Sequence, residues 1–244
     1  MECKQAVRDI PLLGPFAIAP GVHQLRALGA RVTVLQAHDG VVLVDAGSRG
    51  SLQAIKAGLR ALDIALEQVR LIALTHSHPD HAGGLAELAE ATGAPVAIHR
   101  TEAGIISGDE PAPSFLRREA LPQVPSAVSF INSAPVMVQY PLVDCEYLPE
   151  IEQVRVIHTP GHTQGSICFY VEPAKLLIVG DALQYRFRKL QYPSWLFTRD
   201  PELARESLAK LLDVDFTTIC FSHFPPIKEN AREMLAAFLD DAKE

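Results

Sequence analysis

The chain has 244 residues, 48% hydrophobic and 21% charged, with a formal net charge of −7. These proportions exclude wholesale disorder and provide for a sizeable core, while the acidic balance runs against nonspecific nucleic-acid or anionic-membrane binding. No apolar run reaches the roughly 20 residues of a bilayer span, and Met1–Phe16 lacks the apolar core and cleavage site of a secretory leader. The expectation is a cytoplasmic protein with no nucleic-acid or membrane partner. Cys3, Cys145, Cys168 and Cys220 are scattered without a CxxC pair and read as free thiols.

In chain order, Arg31–Ala37 and Val41–Asp45 read as two strands joined by a tight turn at His38-Asp39-Gly40. Leu52, Ile55, Leu59 and Leu62 recur at the spacing of one helical face and predict a helix over 50–62. Val69–Leu74 is a largely apolar run and reads as a buried strand. Ala82–Ala91 reads as a short helix ended by Thr92-Gly93, with Pro95–His99 as the next strand.

From Thr101 to about Ile151 the pattern breaks, with prolines at 111, 113, 122, 125, 135, 141 and 149 among apolar residues. This stretch, 101–151, reads as an irregular, partly helical insertion that forms a lid or pocket wall within a single domain spanning 1–244. Strands resume at Val154–Ile157, Ser166–Val171 and Leu176–Val179. A helix follows over Pro201–Leu212 with Asp200 as its N-cap, then a strand at Thr217–Phe221 and an amphipathic helix over Glu229–Leu239. The order gives an α/β fold of two sheets covered by helices on their outer faces, with no internal repeat.

The chemistry concentrates in Thr75-His76-Ser77-His78-Pro79-Asp80-His81, at the end of a predicted strand. In an extended stretch side chains two apart point the same way, so His76 and His78 can grip one ion together. Pro79 turns the chain, and Asp80 and His81 can face a second ion. Packing these groups without a cation leaves polar atoms unsatisfied at about 1–3 kcal/mol each. His162 in Thr159-Pro160-Gly161-His162-Thr163, Asp181 in Gly180-Asp181-Ala182, and His223 after Ser222 each follow another predicted strand. His162 can complete a three-histidine set, and the two oxygens of the Asp181 carboxylate suit bridging two metals.

HSHPDH at 76–81, PGHT at 160–163, GDA at 180–182, SH at 222–223 and Asp45-Ala46-Gly47 together resemble the metallo-β-lactamase fold superfamily, over about Arg31 to His223. The resemblance implies a four-layer αβ/βα sandwich with a dinuclear site between the sheets. It assigns His76, His78 and His162 to one metal and Asp80, His81 and His223 to the other. Asp181 would bridge, and Asp45 would support the ligands from outside. Many members place glycine before the last histidine, where this chain has the small Ser222. Imidazoles and carboxylates suit zinc first, with iron or manganese as alternatives. A water between two dications loses its proton near neutral pH and becomes the nucleophile on a carbonyl carbon or a phosphorus. Asp80 is placed to orient that water, so no separate Ser or Cys nucleophile is needed.

The bridging carboxylate separates this chain from antibiotic-degrading relatives, which place Cys or Ser there. The glyoxalase II branch keeps the ligand set but carries a C-terminal helical region, and only a short tail follows His223 here. Small-molecule lactonases, thioesterases and esterases remain. Quorum-signal lactonases use a tyrosine just after the bridging Asp, and Tyr185 is the catalytic counterpart expected here, with Tyr192 as the alternative. Phe115, Leu116, Phe130, Ile131, Met137, Tyr140, Trp195 and Phe197 suit a small-molecule substrate with an acyl chain, and Arg117, Arg118, Arg186 and Arg188 offer contacts to an anionic group. A mononuclear iron persulfide dioxygenase and a catalytically silent ligand-binding member stay open as other readings, as does a homodimer. His23, His38, His99, His158 and Cys220 read as structural or surface residues.

Overall fold

The structure, a computed structural model, describes residues 14–113 and 133–241. Cys3, Phe115, Leu116, Arg117, Arg118, Phe130 and Ile131 lie outside the described residues.

The first sheet has seven strands side by side in chain order: β1 (Phe16–Ala19), β2 (Val22–Leu25), β3 (Val32–Ala37), β4 (Gly40–Val44), β5 (Val69–Ala73), β6 (Val96–His99) and β7 (Tyr140–Leu142). Strands β1 to β4 form an antiparallel meander, whereas β4 to β7 run parallel. Parallel neighbours need crossovers. These are α1 (Leu52–Arg60), the pair α2 (Pro79–Ala82) and α3 (Leu85–Thr92), and α4 (Arg100–Ser107). The second sheet contains β8 (Val154–His158), β9 (Ile167–Val171), β10 (Leu176–Ile178) and, across a longer connection, β13 (Thr218–Cys220), which pairs parallel to β10. That connection holds a hairpin, β11 (Gln184–Arg186) with β12 (Lys189–Gln191), then α5 (Pro201–Ser207) and a 3-10 segment at Leu208–Asp213. Helix α6 (Ala231–Asp241) follows.

Alternation along the strands divides the core into three layers of side chains. From β4, Val42 and Val44 face the second sheet while Val41 and Leu43 face α1, α3 and α4. From β9, Ile167, Phe169 and Val171 face the first sheet while Cys168 and Tyr170 face the 3-10 segment at Leu208–Asp213 and α6. Both strands are buried along their whole length, as expected where helices cover the outer face of each sheet. The result is helices, sheet, sheet, helices: the four-layer αβ/βα sandwich.

Several elements differ from the sequence expectation. The β1–β2 hairpin, turning at Pro20-Gly21, was not expected, nor was β11–β12. The described part of 101–151, residues 101–113 and 133–151, is less irregular than it reads. It supplies most of α4 and the edge strand β7, where Pro141 sits opposite Ile98 and needs no donor on the outer side. The helix expected over Pro201–Leu212 is α-helical only to Ser207, with Asp200 capping it by accepting from the Leu203 amide at 3.0 Å. Among the described residues, no helix is long and apolar enough to cross a membrane.

Phe169 is fully buried between the two sheets. Phe169→Ala is expected to lower the unfolding free energy by about 3–5 kcal/mol, read from the midpoint of urea unfolding.

Candidate metal centre

The motif residues stand at one edge of the sandwich because each follows the end of a strand. Asp45 follows β4, the segment 75–81 follows β5, the 159–162 turn follows β8, Asp181 follows β10 and His223 follows β13. Asp45 is 1% exposed and holds a left-handed backbone with φ of 67°, a conformation that Asp tolerates better than most residues. Its Oδ1 accepts from the Thr75 amide at 2.8 Å and from the Thr75 hydroxyl at 2.9 Å. Its Oδ2 accepts from His81 Nδ1 at 2.8 Å. The proton on Nδ1 leaves the His81 Nε2 lone pair to face inward.

The same logic orients two further imidazoles. The Thr75 hydroxyl donates to Asp45, so it accepts from His76 Nδ1 at 3.1 Å. The Thr198 hydroxyl donates to the Ser194 carbonyl at 2.8 Å, so it accepts from His162 Nδ1 at 3.1 Å. Each ring then aims an Nε2 lone pair at the same space, and both His76 Nε2 and His162 Nε2 are buried with no hydrogen-bond partner. Buried polar nitrogens are rarely left so. Ligand atoms of His76, His78 and His162 lie within 4.8 Å of one another, as do those of Asp80, His81, Asp181 and His223. Unpartnered imidazole nitrogens beside carboxylates are a donor set that fits a divalent cation.

Electrostatics agree with that fit. Burial pushes His76 and His162 below the usual imidazole range and His78 down to about 3, so these rings are neutral and able to ligate. For His81 and His223 burial acts in the same direction but is outweighed. Asp45 and Asp181 raise His81, and hydrogen bonds to Asp181 and Asp80 carry His223 up to about 9. Their Nε2 atoms are 3.3 Å apart with Asp80 and Asp181 oxygens 3.2 to 3.7 Å away, a field that favours positive charge. Burial raises Asp80, yet His223 and His81 bring it to about 2.

Two loops are fixed by contacts that sequence reasoning missed. Gln24 Nε2 donates to the Phe221 carbonyl at 3.0 Å, the Arg31 amide to the Ser222 carbonyl at 2.9 Å, and Arg31 Nη1 to the Phe224 carbonyl at 2.7 Å, tying the His223 loop to the first sheet. Gly161, at φ of 130°, lets α5 approach the His162 turn, where a Cβ would meet the Ala204 amide nitrogen at 2.2 Å. Neither Thr198 nor Gln24 belongs to a motif. The small-residue turn before His162 is the one signal the sequence offers.

A cleft of about 520 Å³ opens on the cluster, lined by His78, Pro79, Asp80, Asp181 and His223 and walled by Ser48, Gln184, Arg186, Ser194, Phe197 and Phe224. Tyr185, the residue expected to assist catalysis, is not among those lining the cleft. Its neighbours Gln184 and Arg186 face the cleft, so Tyr185 turns to the other side of β11 and stacks on Phe221 at 5.9 Å. Tyr192 packs on Phe238 at 4.7 Å under the Arg205 guanidinium. Met137, Tyr140, Trp195 and Arg188 are not among the cleft-lining residues, whereas Phe197 and Arg186 are. His99 and His158 stack on each other at 3.9 Å, and Cys220 is buried between the sheets.

Asp45→Asn keeps the size and tolerates the left-handed backbone, but its amide can accept at only one of two atoms. Divalent-ion affinity is expected to fall about 10- to 100-fold, measured by competition with a chromophoric chelator.

The family model described as metallo-beta-lactamase superfamily matches residues 25–223. The probable metallo-hydrolase YflN of Bacillus subtilis (strain 168) is 30% identical over 233 residues, covering 87% of each chain. The solved metallo-beta-lactamase family protein TTHA1429 from Thermus thermophilus superposes with a TM-score of 0.71 at 28% identity, over 93% of this chain and 81% of that one. Human acyl-coenzyme A thioesterase MBLAC2 is 30% identical over 129 residues, 50% of this chain and 44% of its own. The matched span takes in Asp45 and all seven clustered residues, and the layers of the fold agree with it: this chain belongs to the metallo-beta-lactamase superfamily.

Proposed function

We propose that the chain is a dinuclear metal-dependent hydrolase of a small ester, lactone or thioester. The observation that carries this reading is the orientation of Asp181. One carboxylate oxygen lies 3.6 Å from His162 Nε2 in the three-imidazole set. The other lies 3.4 Å from His81 Nε2 and 3.3 Å from His223 Nε2. A carboxylate that faces two donor sets suits two neighbouring ions with one shared ligand. His76, His78 and His162 would hold one ion and Asp80, His81 and His223 the other. Zinc matches these donors, with iron and manganese sharing the preference. When bound, the ions supply Lewis acidity and bring the pKa of a water toward neutrality.

The chain's own groups supply position and surroundings. Asp80 has a side chain 41% exposed at the cleft floor. Held at about 2, it stays an ionised acceptor at neutral pH, able to orient the attacking water through a hydrogen bond. Pro79, Phe197 and Phe224 form apolar wall against which an acyl portion can lie, and Gln184 and Ser194 offer donors beside it. The partial likeness to an acyl-coenzyme A thioesterase supports a thioester among the candidate substrates.

The test is elemental analysis of the purified protein together with a panel of lactones, esters and thioesters. About two ions per chain, with turnover that a chelator removes and zinc restores, is the expected result. One iron per chain, with oxygen consumed on glutathione persulfide and no hydrolysis, would overturn it in favour of a dioxygenase. Asp181→Asn is expected to lower kcat/KM about a hundredfold or more on whichever substrate the panel identifies, because only one side-chain oxygen then remains to face the two sets.

A further inference from the structure

Glu102 is only 2% exposed, although it stands in the first turn of α4. Both of its oxygens are used on backbone amides of other segments. Oε2 accepts from the Ser77 amide at 2.7 Å and Oε1 from the Gly165 amide at 3.1 Å. Ser77 is the residue between His76 and His78, and Gly165 lies in the turn that begins at Thr159 and carries His162. One buried carboxylate therefore ties together the two segments that bear the three imidazoles. Amides donating to a buried carboxylate make charge-assisted bonds, roughly twice as strong as neutral ones, so the tie is stiff.

A second observation shows that the surrounding chain makes room for this carboxylate. A Cβ on Gly165 would lie 2.7 Å from Glu102 Cγ and 3.0 Å from its Cδ. Glycine at 165 is what lets the side chain seat between the two loops. On the opposite side, the same segment is held two residues earlier, where the Thr75 amide donates to Asp45. The segment from Thr75 to Ser77 is thus fixed by two carboxylates, one from the end of β4 and one from α4. Among the described residues, the hydrogen bonds of the Glu102 carboxylate run to Ser77 and Gly165 and to no side chain of the Asp80, His81, Asp181 and His223 set.

We infer that Glu102 is a positioning residue: it sets the spacing of His76 and His78 against His162, and through it the affinity of the ion those three would hold. The inference rests on the dinuclear reading. It predicts a selective effect, in which one ion weakens and the other does not.

The experiment titrates zinc-loaded full-length protein with a chromophoric chelator for wild type, Glu102→Gln and Gly165→Ala. Gln keeps the volume but presents one acceptor and an NH2 group to two donors. Ala at 165 leaves the carboxylate in place chemically and denies it its seat, and it keeps the test open should Glu102→Gln fail to fold. Both variants are expected to release one ion at about tenfold lower chelator concentration or less, with the other held at the wild-type midpoint. Cobalt(II)-loaded Glu102→Gln is expected to show an altered visible spectrum, which a role in general packing does not produce. Two wild-type midpoints in both variants would overturn the inference while leaving the dinuclear reading intact, as would equal weakening of both ions. Wild-type protein that binds no zinc overturns the two together.

Discussion

The Asp45 carboxylate, at the end of β4, collects three donors from the segment after β5: the Thr75 amide, the Thr75 hydroxyl and His81 Nδ1. A buried carboxylate with no partners is strongly disfavoured, so the side chain stays in place only because these donors meet it. In return it fixes two tautomers at once. His81 is oriented directly, and His76 through the Thr75 hydroxyl that stands between them. A left-handed backbone at a non-glycine residue costs about 1–2 kcal/mol, and here it delivers the carboxylate to the strand end where those groups converge.

That arrangement is only as firm as the packing beneath it. Asp45 and the 75–81 segment belong to the first sheet, while His162, Asp181 and His223 belong to the second. Their separation is set by the layer between the sheets, in which Val42 and Val44 meet Ile167, Phe169 and Ile178. Interiors packed this densely do not deform gradually. Hydrogen bonds from Gln24 and Arg31 to the His223 loop add a polar tie across the same gap.

The ligand motifs are legible because metal ligation imposes local spacing: two apart in an extended segment, then at the mouth of a helix, always after an apolar run. The long buried strands are legible for a related reason, since β3, β4 and β9 each carry enough apolar residues to show. Among the short strands, β6, β10 and β13 are legible as apolar runs, whereas β1, β2, β7, β11 and β12 are not. Three or four residues cannot establish an alternation, Pro141 argues against β7 although an edge position accepts it, and the Phe187-Arg188 turn of β11–β12 carries none of the Asn-Gly chemistry that marks a hairpin. Tyr185 shows the limit most clearly. Its distance in sequence from Asp181 says that it is near the site, but not which face of β11 it occupies. Thr198 and Glu102 act on residues far away in sequence, so no local pattern could mark them.

His81 and His223 are 142 residues apart in sequence yet in direct contact. An ion gripped by both would join the two sheets as a removable staple, closing a long loop in the way a disulfide does but under the control of supply. Ligand that binds only the native state deepens its well by about 2.7 kcal/mol at a hundredfold excess over Kd. The cell's metal availability would then govern how long the chain survives proteases as well as whether it turns over substrate, so scarcity would remove the protein and not merely idle it.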